Sequence, residues 1–233
     1  MADRAHGTVR SIVVIGVGGT GTALLPLLAS LQVSCITLVD GDTVEEGNLT
    51  RQLLFTPEDI GRMKADAAME RLRTNFPSVE WRSKASFIDV VNCAGLLQGH
   101  SVVADCTDDL LVRGVIARTC ATLGIPLVSG AVHGKQIQIF TQTASTHGPR
   151  TSPFFRDRPA EEQEGCDMQQ VPPAVTTIAA SLMAMRMEDL VKGGHGHAGM
   201  MDLVDTEHGR WMRIMGPDAG EFMDTPISPM RHA

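Results

Sequence analysis

Short apolar runs alternate with longer amphipathic stretches over the first two-thirds of the chain. The runs at 10–15 and 35–40 are almost continuously apolar, which is typical of parallel strands that are covered on both faces. We predict further strands at 79–83, 102–106 and 126–129. The longer stretches have the length and spacing of helices, which we place at 20–31, 57–75, 89–97 and 110–123. This succession favours an α/β fold with a doubly wound, Rossmann-like and mostly parallel sheet.

The pattern changes after the last of these strands. Residues 134–142 alternate strictly between polar and apolar positions, which is the period of a half-exposed strand. A helix is predicted over 171–191, and two short runs at 201–205 and 210–215 have the spacing of a hairpin. We therefore expect C-terminal antiparallel strands to extend the parallel sheet.

Two polar segments differ from the rest of the chain. Residues 144–170 are rich in Arg, Pro and Glu, and we interpret them as a crossover loop, because a loop of this length in a compact domain is usually functional or disordered. Residues 217–233 show no periodicity and are expected to form a disordered tail. The remaining residues, 1–216, are expected to form a single domain.

The bulk composition limits the classes of function. The chain has 233 residues and a formal net charge of -7, which argues against a nucleic-acid-binding protein, because such proteins need a basic surface. No apolar run approaches the ~20 residues that a membrane span needs. The five cysteines form no close pairs and no Cys-x-x-Cys motif, so we expect neither a disulfide framework nor a structural zinc site. These features are typical of a cytoplasmic protein.

The most informative motif is a glycine-rich turn between the first strand and the first helix. Gly16, Gly18 and Gly21 fit the pattern G-x-G-x-x-G. Glycines in such a turn let a phosphate approach the free backbone N–H groups at a helix N-terminus. The motif therefore predicts a nucleotide site, and taken alone it is most often associated with NAD or FAD.

The residues beyond the turn change which nucleotide we expect. Asp40 ends the second strand, where a carboxylate can accept hydrogen bonds from the ribose hydroxyls of NAD and ATP alike. Arg51 and Lys64 follow, and Asp108 lies at the C-terminal end of a later strand, which is the edge where ligands bind in such sheets. Two cations and a carboxylate near a glycine turn suit a triphosphate with Mg²⁺, whereas a dinucleotide does not need this cation cluster.

Several motifs in order resemble those of the ThiF/MoeB/HesA group, the prokaryotic relatives of ubiquitin-activating enzymes. They are Gly16-Val-Gly-Gly-Thr-Gly21, Val39-Asp-Gly-Asp-Thr-Val44, Asn48-Leu-Thr-Arg-Gln52, Asp59-Ile-Gly-Arg-Met-Lys64 and Asp105-Cys-Thr-Asp-Asp109. The resemblance covers most of the chain and is far more specific than the glycine turn alone. It implies ATP-dependent adenylation of the C-terminal carboxylate of a small ubiquitin-like or sulfur-carrier protein that ends in Gly-Gly, with release of pyrophosphate.

The resemblance also implies roles for individual residues. The nucleotide would be bound by Gly16, Gly18, Gly19, Gly21, Asp40, Asn48, Arg51 and Lys64. Asn48 and Arg51 would contact phosphates, Lys64 would stabilise the pentacovalent α-phosphate, and Asp108 would hold Mg²⁺. Arg51, Lys64 and Asp108 would be catalytic, and no general base is needed, because the attacking carboxylate is already ionised at neutral pH. A homodimer is expected, because the family usually forms one.

Cys166 lies late in the polar loop, where the family carries a cysteine that can form a thioester or a persulfide-derived linkage with the activated partner. Thioester transfer to Cys166 after adenylation is one interpretation. An idle loop thiol is the other, because the neighbouring Glu164 and Asp167 should raise the pKa of the thiol. The small-residue run that usually follows the family's cysteine is also replaced here.

Other interpretations compete with these. The chain could be an NAD-binding oxidoreductase, with His133 as the histidine expected near a strand end, or a non-catalytic ATP-binding relative that acts as a scaffold. Asp108 could simply cap the helix that follows it. Arg113 is expected on the exposed face of that helix, and Cys106 is expected to serve only in packing.

Overall fold

The order of the strands confirms the predicted α/β class. The computed structural model describes residues 11–143 and 171–215. These residues form β1 (Ser11–Ile15), α1 (Gly19–Ala29), β2 (Cys35–Val39), α2 (Lys64–Asn75), β3 (Glu80–Lys84), α3 (Cys93–Leu97), β4 (Val102–Asp105), α4 (Leu110–Leu123), β5 (Leu127–His133), β6 (Gln136–Gln142), α5 (Pro173–Val191), β7 (Met200–Asp205) and β8 (Arg210–Met215). The eight strands in the described ranges form one sheet in the order β3-β2-β1-β4-β5-β6-β7-β8.

The sheet is parallel in its first part and antiparallel in its last. β3, β2, β1, β4 and β5 are parallel neighbours, and β6, β7 and β8 are added antiparallel, as the sequence predicts. Because β2 and β4 flank β1 on opposite sides, the chain leaves β1 at a topological switch point, where a crevice opens. Ile15 at the end of β1 pairs with Val39 on one side and Asp105 on the other. The three segments that follow these residues therefore meet at one edge of the sheet.

Helices cover both faces of the parallel part. Side chains alternate across a strand, so Ile12 and Val14 of β1 belong to the core beneath α1, α2 and α5. Val13 and Ile15 belong to the opposite core, beneath α3 and α4. The chain thus has the layers of a doubly wound sheet, and its edge with the strand C-termini stays open for a ligand.

A buried ionic cluster joins α5 to the C-terminal hairpin. Asp202 of β7 is 2% exposed and pairs with Arg186 of α5, which is itself buried. Arg213 of β8 donates to the same carboxylate through Nε at 2.7 Å. Although burial opposes ionisation, the hydrogen bond from Arg213 and the charge of Arg186 hold the pKa of Asp202 below its usual range.

The helix predicted over 57–75 is wrong in its first part. Pro57–Asp59 forms a single 3₁₀ turn, and α2 begins only at Lys64. Gly61 has a φ of +85°, a left-handed conformation that interrupts the helix. Met63 instead forms an isolated antiparallel bridge with Thr43, which lies in the segment after β2. This long-range pairing fixes the residue at which α2 begins.

Some predictions fall outside the described ranges. The crossover loop at 144–170, the tail at 217–233 and Cys166 lie outside them, so these assignments and the single-domain boundary stay predictions. Within the described ranges, no helix is both long and apolar enough to cross a membrane.

Candidate active site

One cavity lies at the switch point of the sheet. Its volume is about 850 Å³, and its wall combines the glycine turn, the segment after β2, the loop after β3, the loop before α4 and the β5–β6 hairpin. Among the predicted site residues, it is lined by Gly16, Gly18, Gly19, Asp40, Asn48, Arg51, Lys64 and Asp108. The fold therefore brings together residues that are almost a hundred positions apart in the sequence.

Gly21 differs from the other glycines of the turn, because it does not line the cavity. A Cβ at Gly21 would lie 2.0 Å from the carbonyl oxygen of Gly16, so its missing side chain lets α1 pack on the turn. Gly16 has a φ of +89°, and a Cβ there would lie 2.9 Å from the carbonyl group of Cys106. These two glycines shape the turn, whereas Gly18 and Gly19 present backbone to the cavity.

The N-terminus of α1 faces the cavity without a side-chain cap. Gly18 is the N-cap residue and has no side chain to accept hydrogen bonds from the first turn. The N–H groups of that turn have no partner within the helix, and they add to the positive end of the helix dipole. The start of this 11-residue helix is suited to an anionic group such as a phosphate.

Asp40 is held rigidly at the end of β2. Its Oδ2 accepts a hydrogen bond from the Val17 N–H at 2.6 Å, and its Oδ1 accepts one from the Asp42 N–H at 2.8 Å. Burial raises the pKa of Asp40, although these two hydrogen bonds oppose the shift. The carboxylate has further lone pairs that can accept the hydroxyls of a ribose.

Lys64 is a buried cation on the cavity wall. It is the first residue of α2 and is only 7% exposed, and its Nζ donates to the Asp42 carboxylate at 2.9 Å. A cation at a helix N-terminus opposes the helix dipole, so this position is unfavourable for the helix itself. The ammonium and the helix end together favour an anion in the cavity.

The segment after β2, which contains a 3₁₀ turn at Glu46–Asn48 and continues through Gln52, adds three more groups to the same wall. Arg51 donates through Nη1 to the Gly47 carbonyl at 2.9 Å, and Asn48 accepts the Glu45 N–H through Oδ1 at 3.1 Å. Gln52 was not assigned a role from the sequence, yet it lines the cavity at 3% exposure, and its Oε1 has no hydrogen-bond partner within the described ranges. Gln52 follows Arg51 within the motif Asn48-Leu-Thr-Arg-Gln52, and this position is the sequence signal that could have identified it.

Asp108 offers the cavity a free carboxylate. It is exposed on the cavity wall, and it forms no hydrogen bond or ion pair with any other described residue. The alternative that Asp108 caps α4 is wrong, because Asp109 does so, accepting the N–H groups of Leu111 at 2.7 Å and Val112 at 3.2 Å. Asp108 is therefore free to bind a ligand.

Magnesium would fit at Asp108, because hard carboxylate oxygens suit this ion. The described residues contain no group of three or more His, Cys, Asp or Glu side chains that could hold a metal ion by themselves. Protein sites commonly bind Mg²⁺ through one or two carboxylates together with phosphates of the substrate, so a single carboxylate is compatible with this mode.

Arg113 corrects a prediction, because it is buried rather than exposed. It is 3% exposed and donates to the carbonyls of Thr107 at 2.7 Å and Gly130 at 2.9 Å, and to Ser129 Oγ at 2.6 Å. Its Nε lies 3.8 Å from Asp105, a fully buried carboxylate that also accepts the Thr107 hydroxyl. This network ties β5 to the loop that carries Asp108.

Cys106 also lines the cavity, next to the glycine turn. Burial and the charge of Asp105 raise the pKa of the Cys106 thiol well above its ordinary value. The thiol is therefore protonated at neutral pH and poorly suited to nucleophilic attack. This agrees with a packing role.

Comparison with known proteins tests the motif resemblance. A family model described as the ThiF family matches residues 7–217. The chain belongs to the ThiF family. This membership agrees with the motif resemblance and with the doubly wound sheet.

Curated relatives of this ThiF-family protein are adenylyltransferases. It is 28% identical to the sulfur carrier protein ThiS adenylyltransferase of Escherichia coli K12 over 203 residues, which cover 87% of this chain and 80% of the relative. It is 29% identical to the adenylyltransferase and sulfurtransferase MOCS3 of Drosophila willistoni over 207 residues, 88% of this chain. The match spans only 45% of MOCS3, so this chain corresponds to less than half of that relative.

Solved structures share the fold of the ThiF-family chain. The Escherichia coli MccB structure with MccA-N7isoASN superposes with a TM-score of 0.78 over 89% of this chain and 64% of MccB, at 18% identity. The PaaA structure superposes with a TM-score of 0.73 over 88% of this chain and 64% of PaaA, at 19% identity. These likenesses concern the fold alone.

Proposed function

We propose that this protein uses ATP to adenylate the C-terminal carboxylate of a small ubiquitin-like or sulfur-carrier protein that ends in Gly-Gly. The observation that carries the proposal is a single cavity lined by an uncapped helix N-terminus, a buried lysine and an unpaired carboxylate. Membership of the ThiF family and the adenylyltransferase names of its relatives support it.

Each group in the cavity has a place in this reaction. The N–H groups at the start of α1 would receive phosphate oxygens, and Asp40 would accept the ribose hydroxyls. Lys64 and Arg51 would neutralise the charge that develops on the phosphates. Mg²⁺, held by Asp108 and phosphate oxygens, would supply further charge neutralisation.

The chemical step needs positioning rather than proton transfer. A carboxylate oxygen of the carrier attacks the α-phosphorus of ATP, the bond from that phosphorus to the bridging oxygen breaks, and pyrophosphate leaves. The product is an acyl adenylate, and no proton changes place. Lys64 would stabilise the α-phosphoryl group in the transition state, which is the function that preorganised cations perform best in a water-poor site.

A second step would use Cys166. Its thiolate would attack the acyl carbon, AMP would leave, and a thioester would form between the carrier and the enzyme. The raised pKa of Cys106 makes that cavity thiol an unsuitable alternative. Intact-mass analysis would reveal the adduct, which should be absent in Cys166→Ala and retained in Cys106→Ala. An adduct that persists in Cys166→Ala would reject this step.

The proposal also includes a homodimer in the cytoplasm. The motif resemblance supports the dimer, and the free thiols of Cys35, Cys93, Cys106 and Cys120 support a reducing compartment. Light scattering on the purified protein should give twice the 25.0 kDa mass of one chain, whereas a mass of 25.0 kDa would reject the dimer.

ATP–pyrophosphate exchange tests the central step. With ThiS as the carrier probe, exchange should require both the carrier and Mg²⁺, and removal of the terminal Gly-Gly should abolish it. Asp108→Ala and Lys64→Ala should each lower the rate about 100-fold or more. Lys192→Ala, which changes an exposed lysine just after the end of α5, is the matched control. ATP binding without exchange for any Gly-Gly carrier would favour a scaffold, and tighter binding of NAD than of ATP would favour an oxidoreductase.

A further inference from the structure

A large aromatic side chain is left exposed on the wall of the cavity. Phe87, in the loop after β3, is 68% exposed although it lines the cavity beside Ile88, which is buried. Exposure of so large an apolar surface is unfavourable in water and is often a mark of a binding site. None of the adenylation roles assigned above uses it.

The ring of Phe87 rests directly on Gly41. A Cβ at Gly41 would lie 2.5 Å from Cδ2 and 2.6 Å from Cγ of Phe87, and also 2.6 Å from the Phe87 nitrogen. Any side chain at Gly41 would therefore displace both the ring and the backbone of Phe87. Gly41, between Asp40 and Asp42, therefore leaves room for an aromatic ring beside Asp40, the carboxylate proposed to bind ribose.

The backbone of Phe87 is fixed as well. Its carbonyl accepts a hydrogen bond from Asn92 Nδ2 at 2.8 Å, and Asn92 Oδ1 accepts the Asp89 N–H at 2.9 Å. Asp89 Oδ1 in turn accepts the N–H groups of Val91 at 2.8 Å and of Asn92 at 2.9 Å. The loop is thus ordered before any ligand arrives, so little conformational entropy is lost when the ring is covered.

The direction of the nucleotide follows from the order of the strands. The phosphate-binding turn follows β1, Asp40 follows β2, and Phe87 follows β3, the next parallel neighbour. Asp40 N–H donates to the Lys84 carbonyl at 3.2 Å, which links the ends of β2 and β3. Neighbouring strands lie ~4.8 Å apart, so the ring is roughly two spacings from the turn. A nucleotide with phosphates at the turn and ribose at Asp40 extends its base toward Phe87.

We propose that Phe87, seated on Gly41, is the stacking platform that selects a purine base at this site. The proposal rests on the nucleotide site of the proposed function and adds the residue that recognises the base. The ring has no polar atom, so it discriminates by the area of the stacked surface, which is larger for purines than for pyrimidines. It therefore favours ATP and GTP over UTP and CTP.

Direct binding tests the proposal without a carrier protein. The probes are ATP, UTP and inorganic tripolyphosphate, measured by calorimetry with Mg²⁺. Phe87→Ala should weaken ATP binding roughly 10-fold, as loss of one aromatic–base stack does elsewhere. It should leave tripolyphosphate binding unchanged and reduce the preference for ATP over UTP. Phe87→Trp should retain ATP binding, and its fluorescence should change with ATP but not with tripolyphosphate.

Two further variants test the contact with Gly41 and the loop that carries Phe87. Gly41→Ala should weaken ATP binding as Phe87→Ala does, and the double variant should be no weaker than either single one. Val91→Ala is the control, because this residue is 87% exposed on the same loop and does not line the cavity. A loss of ATP affinity in Val91→Ala equal to that in Phe87→Ala would overturn the proposal.

The remaining outcomes distinguish this proposal from the proposed function. If Phe87→Ala binds ATP as the wild type does, the stacking role is wrong while ATP binding stands. If that variant binds ATP normally but loses exchange with the carrier, Phe87 contacts the partner protein and the stacking role is again wrong. If the wild type binds no ATP, both proposals fail.

Discussion

The ammonium of Lys64 lies 2.9 Å from the carboxylate of Asp42, and the two residues differ sharply in exposure. The Lys64 side chain is 9% exposed and that of Asp42 is 54% exposed. The lysine is thus held inside the cavity by a partner that remains in contact with water. Because water screens the charge of Asp42, a phosphate can compete with this carboxylate for the ammonium.

Lys64 and Asp42 should therefore respond differently to substitution. Lys64→Ala should weaken ATP binding and lower exchange about 100-fold, because it removes charge from the transition state. Asp42→Asn should keep exchange and bind ATP up to about 5-fold more tightly, because the lysine no longer has a competing anion. Calorimetry and exchange at two salt concentrations would measure both effects. Equal losses in the two variants would show instead that Asp42 is needed to position the lysine.

Arg113 should matter for both stability and catalysis. Arg113→Met leaves the buried Asp105 without its cation, which should cost about 3–5 kcal/mol in the free energy of unfolding. Arg113→Lys keeps the charge but cannot reach all three oxygen partners, so part of the loss should remain. Urea unfolding measures the stability.

The positioning role of Arg113 has its own readout. In the Lys variant, kcat of exchange should fall more than the affinity for ATP, because the loop with Asp108 is loosened. Arg118→Ala, at an exposed position of the same helix, should change stability by less than about 1 kcal/mol. An Arg113→Met protein as stable as the wild type would contradict the assigned network.

Local patterns were sufficient for much of this site. The glycine turn and Asp40 could be predicted because a strand, a tight turn and a helix are encoded by adjacent residues. The helix over 110–123 was predicted at its observed bounds, because Gly124 ends it, in the left-handed conformation. Its cap was not predicted, because Asp109 rather than Asp108 accepts the first N–H groups.

Long-range contacts account for what the sequence could not predict. The start of α2 at Lys64 depends on pairing between residues 43 and 63, and the burial of Arg113 depends on acceptors from a neighbouring strand. The seating of Phe87 on Gly41 joins two loops that are far apart in the chain. Periodicity within one segment carries no information about such contacts.

Cys106 should resist alkylation in the native protein. Burial raises the pKa of its thiol, and only the thiolate reacts readily with iodoacetamide. At about pH 8, close to the ordinary pKa of a thiol, Cys106 should be labelled far more slowly in buffer than in concentrated guanidinium. Peptide mass mapping can measure this difference. Equal labelling rates in the two solutions would show that the thiol is accessible and ionised.

The ionisation of Asp202 should make the free energy of unfolding depend on pH. Its pKa is lowered in the folded protein, so its contribution is complete above the unfolded pKa of about 3.9 and is lost as pH falls through that value toward the folded pKa. Asp202→Asn cannot ionise and leaves Arg186 buried without its counter-ion, which should cost about 3–5 kcal/mol at pH 7. The difference in the free energy of unfolding between the wild type and Asp202→Asn should therefore shrink below about pH 4. Urea unfolding at a series of pH values measures this difference. Glu58→Gln, at an exposed position, is the control, and its free energy of unfolding should lie within about 0.5 kcal/mol of the wild-type value at neutral pH. A difference that stays constant down to the acid limit of folding would mean that Asp202 contributes through packing rather than through its charge.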